Sequence, residues 1–173
     1  MTDFGDLVGR LAAARIGETH NQYSASEARQ ARLRRYLESR TDAPVILVGE
    51  AAGYRGARIS GIAFTSERQL TGKGPAEASA TIVHRVLAAL DLDADVLLWN
   101  VVPTHPGTIS SNRRPTRSEI DAARPFLEEL TQSRRVVAVG RVAAAALDAP
   151  YVRHPSHGGA VAFAEGLRRT LAV

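Results

Sequence analysis

The sequence of 173 residues predicts an α/β fold in three layers, with a central, mainly parallel four-stranded sheet between two layers of helices. Short apolar runs rich in β-branched residues occur four times, and this is the form of strands buried on both faces. Helical patterns lie between these runs, and strands that alternate with helices join through right-handed crossovers into a parallel sheet. The length suits one domain, so we expect residues 1–173 to form a single domain.

The elements are predicted in order along the chain. Helical spacing of apolar residues predicts two helices in the first forty residues, one over 4–12 and one over 26–40. The predicted strands lie at 44–48, 96–99, 135–139 and, more weakly, 151–153. The predicted helices between and after them lie at 76–90, 117–130, 141–147 and 160–171.

Composition excludes several classes of protein. The chain has no cysteine, so disulfides, thiolate zinc sites, cysteine-ligated iron–sulfur clusters and a thiol nucleophile are excluded. It has no run of about 18 apolar residues and no basic segment followed by an apolar one at its start, so we expect a cytoplasmic protein without membrane contact. The net charge of +4 arises within residues 101–173, and localised positive charge suits a polyanionic partner.

The loops that follow the strands are where we expect the functional site, because ligands of open parallel sheets collect beyond the carboxyl ends of the strands. Gly49 and Gly53 bracket a tight loop after the first strand, whose backbone N–H groups can hold an anion or a base carbonyl. This loop fits neither the three-glycine dinucleotide fingerprint nor the P-loop.

Three side chains suit recognition of a nucleobase, although each has a structural alternative. Asn100 offers one acceptor and two donors, which match an imide edge such as that of uracil, but an asparagine there can also cap a turn. Phe64 could stack on a base or fill the core. His154 can donate an N–H to developing negative charge, or it can be a buried structural histidine. The remaining histidines lack metal-ligand spacing, so we predict no metal site.

Basic and small residues near these loops suit a phosphate backbone. The segment 104–116 contains Arg113 and Arg114 and is predicted to contact phosphates, unless it is only solvated surface. Ser156 and the glycines after it leave room for a close approach of the backbone of a nucleic acid.

In this order, the segments resemble motifs of the uracil-DNA glycosylase superfamily over residues 44–160. Residues 49–53, Gly-Glu-Ala-Ala-Gly, resemble the Gly-Glu-Ala-Pro-Gly first motif of bacterial and archaeal branches, with Ala52 in place of proline. Residues 61–64 resemble the Gly-x-Pro-Phe segment whose ring stacks on the extruded base. The segment from Asn100 through 127 is similar to the strand with the base-binding asparagine and the helix after it. Residues 154–156, His-Pro-Ser, resemble the second catalytic motif.

The resemblance implies excision of uracil, or of another deaminated base, flipped out of single- or double-stranded DNA by a monomeric, monofunctional glycosylase. Implied catalytic residues are His154, Asn100 and Glu50. Implied substrate-binding residues are Gly49, Ala51, Gly53, Tyr54, Phe64 and Asn100. Implied DNA-binding residues are Arg58, Arg113, Arg114, Ser156 and His157.

The sequence also departs from the family pattern. The branch with an iron–sulfur cluster has four cysteines, so we expect no cluster and no cofactor here. Ala51 stands where the most active branch has an aspartate that positions the water, which leaves Glu50, Asn100 or a backbone carbonyl for that role. His157 begins the segment that replaces a duplex wedge, and it is either the intercalating residue or an ordinary loop residue.

Other functions remain open at the level of sequence. The substrate can be hypoxanthine, xanthine or mismatched uracil. The protein can also bind abasic sites or damaged bases with little turnover, because fold and DNA binding can persist without water activation. A small-molecule binder on the same sheet is a third class.

Overall fold

Four parallel strands form the centre of the fold in the computed structural model, which describes residues 2–173. Met1, the first residue of the expected domain, lies outside the described residues. The strands are β1 (Val45–Ala51), β2 (Val96–Val102), β3 (Gly107–Thr108), β4 (Ser111–Asn112), β5 (Arg135–Val139) and β6 (Tyr151–Val152). The central sheet has the order β2-β1-β5-β6, and β3 pairs with β4 in a separate antiparallel hairpin.

Helices cover both faces of the central sheet, which confirms the predicted three-layer α/β/α fold class. They are α1 (Phe4–Ala13), α2 (Glu27–Glu38), α3 (Ala57–Ser60), α4 (Glu67–Thr71), α5 (Ala78–Ala89), α6 (Arg117–Thr131), α7 (Arg141–Ala146) and α8 (Ala160–Leu171). Alternate residues of β1 point to opposite faces, so Ile46 packs in one core cluster with α1, α2, α6 and α7, whereas Leu47 packs in the other with α5 and α8.

Strands β1 and β2 are longer than the apolar runs predict. Pairing between β1 and β2 continues past the apolar residues and joins Gly49 to Asn100 and Ala51 to Val102. Gly49 therefore lies inside a strand rather than at the start of a loop, and Asn100 lies inside β2 rather than beyond its end. The ladder of backbone hydrogen bonds, which has no signature in side-chain hydropathy, causes this difference.

The short elements near the site were not predicted. Helices α3 and α4 have four and five residues, and β3 and β4 have two residues each. Elements of this length are too short to show a hydropathy period. No helix within residues 2–173 is both long enough and apolar enough to span a membrane.

Candidate functional site

Gly49 lies at the centre of a contact between β1, the edge strand β2 and the loop after α3. A Cβ placed on Gly49 would lie 2.3 Å from Cζ of Phe64 and 2.8 Å from Oδ1 of Asn100. Both distances are below van der Waals contact, so the absence of a side chain lets the phenyl ring and the amide meet against the sheet. Phe64 and Asn100 are both buried. The structure thus brings together three residues that the sequence analysis assigned to base recognition.

Phe64 is held in an uncommon backbone conformation. Its φ of +50° lies in the left-handed region that residues other than glycine rarely adopt. The surrounding turn is fixed by hydrogen bonds, since Ser60 Oγ donates to the carbonyl of Thr65 at 2.6 Å and Thr65 Oγ1 donates to the carbonyl of Ala63 at 3.0 Å. These bonds orient the ring, whose centroid lies 6.2 Å from that of His154.

His154 follows β6 and is oriented by Ser156. The backbone N–H of Ser156 donates to Nδ1 of His154 at 3.2 Å, and Ser156 Oγ lies 2.8 Å from the same atom. Because a backbone amide can only donate, Nδ1 is the acceptor and the proton of the neutral ring lies on Nε2. Burial, with a smaller contribution from His157, lowers the pKa of His154 from its ordinary value. The neutral ring therefore has one N–H, on Nε2, that can donate to a ligand.

A cavity of about 320 Å³ opens beside these residues at the carboxyl edge of β1. Its walls come from four segments: the loop after β1, the start of α5, the β3–β4 hairpin and the loop after β6. Predicted site residues on its walls are Glu50, Ala51, Gly53, Tyr54, Arg113, His154, Ser156 and His157. Asn100 and Phe64 are buried next to Gly49 and do not form its walls, and Arg58 and Arg114 lie outside them.

Two contacts, one exposed and one buried, fix the loop after β1 to the hairpin. The backbone N–H of Tyr54 donates to Oδ1 of Asn112 at 2.9 Å. The ring of His105 is fully buried, with Nδ1 2.7 Å from the carbonyl of Ala52 and Nε2 2.7 Å from that of Thr108. His105 thus connects the loop after β1 to the β3–β4 hairpin, a structural role that the sequence did not indicate.

Two carboxyl groups face the cavity. Burial raises the pKa of Glu50, and the positive charge of Arg114 partly offsets this effect. Burial also raises the pKa of Glu77, and a hydrogen bond from Ser79 Oγ to Oε1 at 2.9 Å partly offsets it. Glu77 was not predicted as a site residue. Nothing in the order of residues indicates that the start of α5 meets the loop after β1.

The predicted DNA-binding arginines have different surroundings. Arg113 donates to both carboxylate oxygens of Glu119 at 2.7 and 2.8 Å, so part of its guanidinium is engaged within the protein. This pair and the surrounding hydrogen bonds hold the pKa of buried Glu119 at about 2. Arg58 lies in α3 near His20, whose pKa is lowered by burial and then by the charge of Arg58. Arg114 is exposed.

The described part of the chain contains no candidate cluster for metal binding. Within residues 2–173, no group of three or more histidine, aspartate or glutamate side chains could hold a metal ion.

The model of the Uracil DNA glycosylase superfamily matches residues 37–170, and the chain belongs to that family. The match includes the whole segment 44–160 on which the sequence resemblance rests. Membership supports a uracil-DNA-glycosylase-like function in DNA repair, with DNA as the partner.

Among solved structures, the chain is similar to wild-type SMUG2 from Pedobacter heparinus. The TM-score is 0.68 at 14% sequence identity, and the similarity covers 99% of this chain and 97% of that one. At this identity the similarity shows the shared fold. A search of curated proteins found no match.

Proposed function

We propose that this protein is a monofunctional DNA glycosylase that hydrolyses the N-glycosidic bond of uracil, or of another deaminated base, and leaves an abasic site. The observation that carries the proposal is the meeting of Phe64 and Asn100 at Gly49, with the ring of neutral His154 6.2 Å from that of Phe64. These groups offer a stacking surface, an imide-binding amide and a hydrogen-bond donor at one edge of the sheet.

In the proposed mechanism, the target nucleotide leaves the base stack, which costs a few kcal/mol and least in a mismatch or a single strand. Phe64 then stacks on the base, and the amide of Asn100 hydrogen-bonds its imide edge. His154 donates its Nε2 proton in a hydrogen bond to the carbonyl oxygen that gains charge as the N-glycosidic bond breaks. Water captures C1′ of the sugar.

The absence of a strand-cleaving step follows from the lysine content. Lys73 is the only lysine of the chain, and it lies on the exposed loop after α4, away from the cavity walls. A Schiff base with the abasic sugar needs an amine at the site. The proposed enzyme therefore stops at the abasic product.

DNA binding is proposed to involve the rim of the cavity. Ser156 and His157 lie on the rim, and Arg58 and Arg114 extend the basic surface for single- or double-stranded DNA. Since Arg113 is bound to Glu119, its proposed part is to hold the hairpin in place. We propose a cytoplasmic, nucleoid-associated monomer.

The first experiment measures base excision directly. Purified protein is incubated with single-stranded and duplex oligonucleotides that contain one uracil, and alkali then reveals abasic sites. Asn100→Ala and His154→Ala should each lower the single-turnover rate about 100-fold or more, the usual effect of losing a transition-state donor. His20→Ala, an exposed histidine away from the cavity walls, is the matched control and should retain the wild-type rate.

The same assay with hypoxanthine and xanthine, and with uracil in a mismatch, defines the substrate. Excision of none of these bases by folded protein would refute the proposed function. Excision at equal rates by wild type and both variants would refute the assigned site.

Ala51 favours one second candidate, a protein that binds abasic sites or damaged bases with little turnover. Its methyl group replaces the carboxylate that positions water in the family pattern. Tight, salt-sensitive binding to an abasic oligonucleotide, without excision of any tested base, would support this second function.

A further inference from the structure

The carboxyl group of Glu77 has an unusual position at the start of α5. Glu77 is the N-cap residue of this helix, yet its side chain makes no capping hydrogen bond to the helix. Ser79 donates to Oε1, while Oε2 accepts no hydrogen bond from any residue within 2–173. Glu77 is one of the residues on the cavity wall, and one of its carboxylate oxygens is free of protein hydrogen bonds.

The loop after β1 provides the space for this oxygen. A Cβ on Gly53 would lie 2.4 Å from Oε2 of Glu77, and a Cβ on Gly56 would lie 2.3 Å from the same atom. Both distances are far below contact, so any side chain at either position would displace the carboxylate. The two glycines therefore accommodate Glu77 against the loop that resembles the first catalytic motif.

Glu77 differs from Glu50, the other carboxylate on the cavity wall. The charge of Arg114 acts on Glu50, whereas only the hydroxyl of Ser79 opposes the effect of burial on Glu77. A carboxylate oxygen that is free of protein hydrogen bonds can accept the proton of a water molecule. Ala51, which lines the same cavity, cannot accept a proton.

We propose that Glu77 is the catalytic residue that holds and deprotonates the attacking water, in place of the carboxylate that Ala51 lacks. This inference rests on the proposed glycosylase function. In the step, the C1′–N1 bond breaks and its electron pair leaves with the base, whose oxygen is stabilised by His154. The water oxygen forms a bond to C1′, and one water proton passes to Oε2 of Glu77 and then to solvent.

The test compares single-turnover excision by wild type, Glu77→Gln and Glu50→Gln on a uracil oligonucleotide. Glutamine keeps an oxygen that can accept the hydrogen bond from Ser79, so the variant should fold with an unchanged Tm. Glu77→Gln should excise about 100-fold more slowly, within the usual contribution of a general base. Its Kd for an uncleavable uracil analogue in DNA should be unchanged or lower. Glu165→Gln, an exposed change on α8, is the matched control.

Two rescue experiments separate this chemistry from a structural role. Formate can enter the space left by Glu77→Ala and should raise its excision rate at least tenfold. The double variant Ala51→Asp/Glu77→Gln should also excise at least tenfold faster than Glu77→Gln, because it returns a carboxylate to the same cavity. Neither rescue is expected if Glu77 only supports the start of α5.

Three outcomes would overturn the inference. If the wild type is active and Glu77→Gln excises at the same rate, the proposed function stands and Glu77 has no part in the reaction. Slow variants that respond to neither rescue would assign Glu77 a structural role. A wild type that excises no tested base removes the proposed function and this inference together.

Discussion

The contact at Gly49 makes a quantitative prediction for Gly49→Ala. The new Cβ would lie 2.3 Å from Cζ of Phe64, whereas carbon atoms pack at about 3.5 Å or more, so the ring must retreat by about 1.2 Å. The hydrogen-bonded turn around Phe64 resists this movement. Overpacking of a core costs about 1 to 3 kcal/mol, which lowers Tm by about 2 to 12 °C in a chain of this size. Excision should fall more steeply, because both groups that we propose to bind the base are displaced.

The measurement combines thermal melting with single-turnover excision. Gly9→Ala in α1 is the matched control, since no heavy atom lies within 4 Å of an added Cβ there. Alanine in place of a helical glycine should stabilise the protein by about 0.5 to 1 kcal/mol. Any Gly49→Ala effect then arises from the local clash and not from the loss of a glycine.

A double variant identifies the clashing atoms. Leucine at position 64 lacks the far ring atoms, so Gly49→Ala should cost less stability in a Phe64→Leu background than in the wild type. Excision should stay low in the double variant because the stacking ring is absent. Gly49→Ala with wild-type Tm and wild-type excision would refute the packing argument.

Three further predictions concern single groups. Burial lowers the pKa of His154 below 6.5, so excision that needs the neutral ring should persist below pH 6.5, and a pH–rate profile whose acid limb is centred above 6.5 would contradict this. Glu119 has a pKa of about 2 when folded against 4.5 for the free group, so its stabilisation is present above pH 4.5 and is lost as the pH falls towards 2. Glu119→Gln should therefore lower stability at neutral pH by about 1 to 3 kcal/mol and flatten the pH dependence of Tm between pH 5 and 2. Borohydride should trap no covalent adduct with uracil DNA, and Lys73→Ala should excise at the wild-type rate; an adduct would refute the monofunctional mechanism.

The sequence predicted the central sheet because all its strands contain apolar residues that must be buried on both faces. It placed the carboxyl ends of β1 and β2 wrongly, since pairing between Gly49 and Asn100 depends on the neighbouring strand and not on side-chain type. Its helices of six or more residues agree with the structure to within a few residues. The hairpin and the two shortest helices have no period to detect.

The site was predicted only where its residues stand in local sequence segments, because contacts between distant segments have no signal in the sequence. Asn100, Phe64 and His154 could be chosen because each stands in a recognisable local segment. The phosphate contact of Arg113 stays a prediction, and the sequence does not show that its guanidinium also meets Glu119 across the start of α6. Glu77 was missed because its significance depends on contacts with a loop more than twenty residues earlier.

Backbone conformation links the site residues to the fold. Four residues other than glycine have positive φ within residues 2–173: Phe64, Asp91, His157 and Ala172. Asp91 and Ala172 follow the last turns of helices, where a left-handed residue is common. Phe64 and His157 have no such explanation, and each unfavourable conformation costs about 1 to 3 kcal/mol. Hydrogen bonds around Phe64 hold the ring in place before a base arrives, which reduces the ordering required on binding. The unfavourable conformation of Phe64 therefore lies at the residue that we propose as the stacking surface.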